Sequence, residues 1–151
     1  MSALTDSLPP RLLAFLSGGA PAILASTGAD GWPHLVMTWV VARDAWTVRV
    51  AVDVGSTTQA NLERSGAATV QILGPDNLIF LVKGRARTVK PQLDAAPFPI
   101  CMLELMVFEV KDQAWPVAAI SPLRFEWQEE GRPALEDMER RILAEMREWE
   151  E

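Results

Sequence analysis

Alternation of hydrophobic and polar positions divides most of the chain into short extended segments. The stretch Trp46–Asp53 is the clearest example, because Trp46, Val48, Val50 and Val52 alternate with Thr47, Arg49 and Ala51. A period of two predicts a half-buried strand there. By the same reasoning, or by a short apolar run between turn residues, the predicted strands are Ala22–Ser26, Trp32–Val41, Trp46–Asp53, Ala68–Leu73, Leu78–Val89, Ile100–Lys111 and Leu123–Trp127.

Three other stretches have the spacing of helices. The first is Leu8–Leu16, which ends before a Gly-Gly pair, and the second is Thr57–Arg64, which ends before Gly66. The third covers about residues 133–150, where apolar residues recur at helical spacing opposite a face of Glu and Arg.

Turn residues indicate how the strands are connected. Asp30-Gly31 joins the first two strands and is a strong hairpin signal. Gly84, in the middle of Leu78–Val89, predicts a bulge or a barrel corner. Most connections are too short for a crossover helix, so the sequence predicts a mostly β, antiparallel small barrel with helices packed outside it.

Composition narrows the classes of function. The chain has 151 residues, 49% hydrophobic and 23% charged, which suits one domain covering 1–151. Its net charge of −6 argues against a general nucleic-acid or anionic-membrane surface. The single cysteine, Cys101, has no internal disulfide partner, so we expect a cytoplasmic protein. With one cysteine and one histidine, His34, we expect no metal site. The apolar runs are too short or too interrupted for a membrane span.

Three segments, in this order and spacing, resemble a known family. They are AILASTGADGWPHLVMTWVV from Ala22, WTVRVAVDVGSTTQANL from Trp46, and LIFLVKGRARTV from Leu78. Together they are similar to the pyridoxamine 5'-phosphate oxidase-like split barrels over about residues 8–127. The resemblance implies a six- to seven-stranded antiparallel split β-barrel with N-terminal, central and C-terminal helices outside. It also implies a homodimer that binds FMN at its interface and acts as an FMN-dependent oxidoreductase on a small-molecule substrate.

The resemblance also implies where FMN would lie. The phosphate would meet the loop Gly55–Thr58 at a helix N-terminus, and the isoalloxazine ring would follow the backbone of Met37–Val40. Such proteins transfer electrons through the flavin, so no catalytic side chain is implied. The implied cofactor-binding residues are Met37, Thr38, Trp39, Val40, Arg49, Ala51, Val52, Ser56, Thr57, Thr58 and Asn61.

One departure from the family pattern concerns the phosphate. The family usually has Arg or Lys where Thr57 and Thr58 stand, and each missing charge-assisted bond is worth roughly 1.5–3 kcal/mol. Arg49, Arg85 and Arg87 are the candidates to replace it.

The same departure leaves other functions open. Ser56 and the two threonines can serve as a helix cap alone. The barrel can be a non-catalytic module for a flavin, a deazaflavin or haem, with His34 as the axial haem ligand. It can also be a dimeric scaffold that has lost its cofactor.

Overall fold

Seven strands and three helices form the regular structure of residues 4–151, the part of the chain that the computed structural model describes. The strands are β1 (Leu4–Thr5), β2 (Ala20–Thr27), β3 (Pro33–Asp44), β4 (Thr47–Asp53), β5 (Ala67–Gly74), β6 (Leu78–Lys90) and β7 (Ile100–Asp112). The helices are α1 (Pro10–Ser17), α2 (Thr57–Ser65) and α3 (Arg132–Glu148).

Six of these strands close into an antiparallel barrel. Their order is β7-β4-β3-β2-β5-β6, and a further pairing of β6 with β7 closes the ring. The two-residue β1 is added to β7 outside that ring. The architecture confirms the predicted mostly β barrel with three helices.

The turn residues act as the sequence indicates. Asp30-Gly31 lies in the turn between β2 and β3, where the Asp30 carboxylate accepts a bond from the Trp32 amide and Gly31 has φ +84°. At Gly84 the register of β6 against β7 shifts, as expected for a bulge. A Cβ at Gly84 would lie 2.9 Å from that of Leu105, so the two strands approach closely there.

Two sequence predictions about strands are wrong. Leu123–Trp127 is irregular and forms no strand, because the segment packs the side chains of Phe125 and Trp127 over a cavity in the barrel wall instead of pairing with a strand. Strand β4 is buried on both faces rather than on one, since Val48, Val50 and Val52 face the barrel interior while Arg49 and Ala51 face α3.

Two apolar clusters explain this burial. The larger fills the barrel and includes residues of α1. The smaller lies between the outer surface of the barrel and α3, where Met138, Ile142 and Met146 pack on Val41 and Met102. Helix α3 therefore covers one outer wall of the barrel, next to the cavity described below. None of the helices in residues 4–151 has the length and apolarity needed to cross a membrane.

Candidate functional site

The barrel has an opening between β3 and β4. Strand β3 pairs with β2 from Pro33 to Val40, but its pairing with β4 begins only at Val40, opposite Val50. Before Val40, the second edge of β3 therefore has no strand partner. The Thr38 hydroxyl spans the opening and donates to the Ala51 carbonyl at 2.6 Å.

A cavity of about 600 Å³ occupies this opening. Its walls come from β3, the end of β4, the start of α2, the segment before β7, and the irregular segment before α3. The lining residues are Pro21, His34, Val36, Met37, Thr38, Trp39, Ala51, Val52, Asp53, Ser56, Thr57, Thr58, Phe98, Ile100, Phe125 and Trp127.

Aromatic side chains form much of the cavity wall. Phe125 and Trp127 meet edge to face, with ring centroids 5.3 Å apart. The indole Nε1 of Trp127 is buried and has no hydrogen-bond partner in the described chain. The indole of Trp39 is fixed, because its Nε1 donates to Glu139 of α3 at 2.8 Å.

The polar end of the cavity is the N-terminus of α2. Ser56 is the N-cap residue, and its hydroxyl accepts the Gln59 amide at 3.1 Å. Thr57 is exposed, whereas Thr58 is buried. Asp53, at the end of β4, adds a carboxylate to the same region.

Comparison with known proteins identifies the family. The family model for pyridoxamine 5'-phosphate oxidase matches residues 8–102, which is more than half of the chain. The chain belongs to the pyridoxamine 5'-phosphate oxidase family. No curated protein matches it.

Several solved structures share the fold at low sequence identity. An F420 reductase is 16% identical, with a TM-score of 0.61 over 70% of this chain and 100% of its own. A candidate pyridoxamine 5'-phosphate oxidase from Lactobacillus delbrueckii is 17% identical, with a TM-score of 0.60 over 70% of this chain and 94% of its own. HupZ from Group A Streptococcus is 15% identical, with a TM-score of 0.56 over 76% of this chain and 98% of its own.

Eight of the eleven residues that the family resemblance implied lie together in the cavity wall. The other three are Val40, Arg49 and Asn61, which are not among its lining residues. Val40 is fully buried in the barrel interior. The eight that line the cavity are Met37, Thr38, Trp39, Ala51, Val52, Ser56, Thr57 and Thr58.

Arg49 instead joins α3 to the barrel. Its side chain is fully buried, and its Nη2 lies 2.8 Å from the Glu104 carboxylate. Its Nη1 donates to the carbonyls of Met146 and Trp149 at 2.9 and 2.6 Å. All of these partners belong to the protein, so the structure gives Arg49 a structural position rather than a phosphate-binding one.

Asn61 and the two other candidate arginines are also placed elsewhere. The Asn61 amide donates to the Ser26 hydroxyl at 3.1 Å and is buried between α2 and β2. Arg87 pairs with Glu104, and Arg85 lies over the ring of Phe108. None of the three lines the cavity.

Several lining residues were not predicted as site residues. Phe98 and Phe125 lie in connections whose path the sequence does not reveal, although Leu123, Phe125 and Trp127 alternate toward the interior. His34, which the sequence offered only as an axial haem ligand and not as a flavin-binding residue, also lines the cavity.

Cys101 does not line the cavity. It is fully buried next to β4, and its Sγ donates to the Val52 carbonyl at 3.3 Å. Burial raises the pKa of this thiol, so the thiolate is disfavoured. Within residues 4–151, no group of three or more His, Cys, Asp or Glu is placed to hold a metal ion.

The cavity fits one part of FMN and not the other. An isoalloxazine ring has two apolar faces and a polar edge, which match aromatic walls beside an unpaired strand edge. A phosphate is usually bound by N–H donors together with cationic side chains. The N-terminus of α2 offers N–H donors, but none of the fourteen Lys and Arg residues, all of which lie within the described chain, lines the cavity. The residues present therefore fit a flavin ring but not its phosphate.

Proposed function

We propose that the cavity binds the isoalloxazine ring of a flavin and that the protein is a flavin-dependent oxidoreductase for a small-molecule substrate. The observation that supports this most is the unpaired edge of β3, which faces the end of β4 between aromatic side chains. A bound flavin would supply hydride or single-electron transfer. The residues of the chain would bind and orient it.

Each wall has a distinct part in this proposal. Backbone N–H and C=O groups of Met37 and Trp39 would hydrogen-bond the polar edge of the ring. Trp127, with its free indole N–H, would cover a face and exclude water. The bond from Trp39 to Glu139 fixes another part of the cavity wall before the ligand binds, which lowers the entropic cost of binding.

The first test is an absorption spectrum of the purified protein, followed by flavin titration monitored by fluorescence quenching. We expect flavin bands or micromolar binding of added flavin. A colourless protein that binds no flavin would contradict the proposal and favour a scaffold that has lost its cofactor.

A pair of tryptophan variants locates the binding site. Trp127→Leu removes an aromatic wall, and we expect it to weaken flavin binding about tenfold, since stacking of this kind is worth roughly 1–3 kcal/mol. Trp115→Leu is the matched control, because Trp115 lies in the same irregular segment, is 66% exposed and does not line the cavity. Equal affinities in the two variants would place the flavin elsewhere.

A homodimer with the cofactor at its interface is part of the same proposal. Leu35 and Met37 are apolar and 62% and 51% exposed, and Met37 lines the cavity, so a second copy would cover both the strand and the bound ring. We expect Leu35→Glu to produce a monomer in sedimentation equilibrium. Val117→Glu, at a residue 95% exposed, is the control, and a dimer in both variants would exclude this face.

One observation favours a second candidate, a haem-binding module. His34 lines the cavity, so the imidazole of the chain is available there as an axial ligand. We expect a Soret band on haemin addition under this alternative, lost in His34→Ala. An unchanged band in that variant would exclude His34 as the ligand.

A further inference from the structure

We propose that the cavity selects a flavin without a phosphate group, so that riboflavin binds at least as tightly as FMN. This inference rests on the proposed flavin function and concerns only the end of the ligand remote from the ring.

The basic residues that could neutralise a phosphate are engaged elsewhere. Arg49 is enclosed by Glu104 and the end of α3. Arg64, on α2 itself, donates to Asn61 and to the Thr27 carbonyl. Lys90 bonds Glu145 at 2.6 Å and also pairs with Asp94. Since none of these lines the cavity, a phosphate would have no cationic partner from the subunit that forms the cavity.

The N-terminus of α2 alone is a weak substitute for such a partner. The Ser56 hydroxyl already accepts the Gln59 amide, and the Gly55 amide donates to the Gln59 side chain at 2.6 Å. The remaining amides at the start of the helix can donate hydrogen bonds, but the charge they offer is only the partial charge of the helix dipole. That partial charge is smaller than the charge of a phosphate dianion.

Asp53 makes the same region unfavourable to an anion. It lines the cavity together with Ser56 and Thr57, and its carboxylate would repel a phosphate. The same carboxylate can accept hydrogen bonds from hydroxyl groups, and Thr57 can both donate and accept them. A neutral polyol chain, such as the ribityl group of riboflavin, therefore matches this end of the cavity better than a phosphate ester does.

The decisive experiment is a comparison of riboflavin, FMN and lumiflavin binding to the wild-type protein at low salt. We expect riboflavin to bind as tightly as FMN or more tightly, and lumiflavin to bind more weakly than riboflavin because it lacks the polyol. Binding of FMN tenfold or more tighter than riboflavin would overturn this inference and leave the flavin function intact. Failure of all three to bind would overturn both.

Charge variants test whether the local charge at the N-terminus of α2 causes this preference. Asp53→Asn removes the carboxylate, and we expect FMN to bind about fivefold more tightly while the affinity for riboflavin changes less than twofold. Thr57→Arg adds a cation at an exposed position of the helix N-terminus, and we expect FMN binding to strengthen about tenfold.

Asp6→Asn is the matched control for the loss of one negative charge, because Asp6 is exposed and does not line the cavity. An Asp6→Asn effect on FMN equal to that of Asp53→Asn would attribute the gain to net charge and overturn the local argument. An unchanged FMN affinity in Asp53→Asn would overturn it as well.

Discussion

Strand β4 has a buried cationic side chain at Arg49, whereas two residues later, from Ala51, it borders a cavity without one. At Arg49 a guanidinium is fully buried and meets a carboxylate and two backbone carbonyls. From Ala51 to Asp53 the strand borders a cavity that no Lys or Arg side chain lines. The cationic side chain on this strand thus joins helix α3 to the barrel. The cavity is lined instead mainly by backbone, hydroxyl and aromatic groups.

Arg49 is not available to a ligand because its guanidinium already has partners within the protein. Glu104 accepts Arg49 at 2.8 Å and is also within 3.4 Å of Arg43 and Arg87, so one carboxylate is shared by three guanidinium groups. Moving Arg49 to a phosphate would leave Glu104 partly uncompensated and expose the carbonyls at the end of α3. A buried charge is stable only where its partners are already in place.

The largest effect is expected for Arg49→Met. Removing one partner of a buried ion pair typically costs about 3–5 kcal/mol. Here Glu104 would keep only its longer contacts with Arg43 and Arg87, and the carbonyls of Met146 and Trp149 would lose their donor. We expect a loss of this size in the free energy of unfolding, measured by urea denaturation. Arg43→Met is the control, since Arg43 pairs with the same Glu104 but is 37% exposed, and we expect a loss below about 1 kcal/mol.

A contrary result would reassign Arg49. If Arg49→Met kept its stability and lost affinity for FMN but not for riboflavin, the guanidinium would be a phosphate ligand. The ligand would then have a cationic partner on β4, and Arg49 would not differ in role from the residues that line the cavity.

A smaller, pH-dependent effect is expected at Lys90. Burial disfavours its ammonium group, but hydrogen bonds and attraction from Glu145 and Asp94 outweigh this and raise the pKa of Lys90 above 10.5. Because the pKa is higher in the folded than in the unfolded state, this stabilisation is complete below about pH 10.5 and is lost as the pH rises through the folded-state pKa.

Lys90→Met measures this contribution. We expect a loss of about 1–3 kcal/mol in the free energy of unfolding at pH 7, and a smaller difference from the wild type above pH 10.5. Lys83→Met is the control, since the Lys83 side chain is 41% exposed and pairs with Glu109 on the surface. A difference that stayed constant into strongly alkaline solution would exclude the ion pair as its source.

The strands and helices could be predicted because they depend on local patterns. Alternation and turn residues predicted β2 to β7 within a few residues, and they predicted the bulge at Gly84. The same alternation misled at Leu123–Trp127, because an extended segment that packs over a cavity presents inward side chains at the same period as a strand. Pattern shows which side of a segment is buried but not what buries it.

The cavity was predictable only in part, and Arg49 shows why. Strand alternation placed Arg49 on the face opposite Val48 and Val50, which is correct, but the prediction of a half-buried strand leaves that second face uncovered, whereas α3 packs on it. The alternation of residues in β4 cannot predict that α3, more than eighty residues later in the chain, packs on this face. Ser56, Thr57 and Thr58 were placed correctly in the cavity wall because a helix start follows from local sequence.

The smallest effect is expected at Ser56, which tests whether a hydroxyl beside the cavity is also used structurally. Its Oγ accepts the Gln59 amide, so Ser56→Ala leaves that donor unsatisfied and we expect a loss of about 1 kcal/mol in the free energy of unfolding. Ser56→Gly is the matched variant, with an expected loss of only a few tenths of a kcal/mol, because glycine is tolerated at an N-cap. If both variants were as stable as the wild type and FMN binding fell in both while riboflavin binding did not, the hydroxyl would bind the ligand, and the N-terminus of α2 would have a phosphate contact after all.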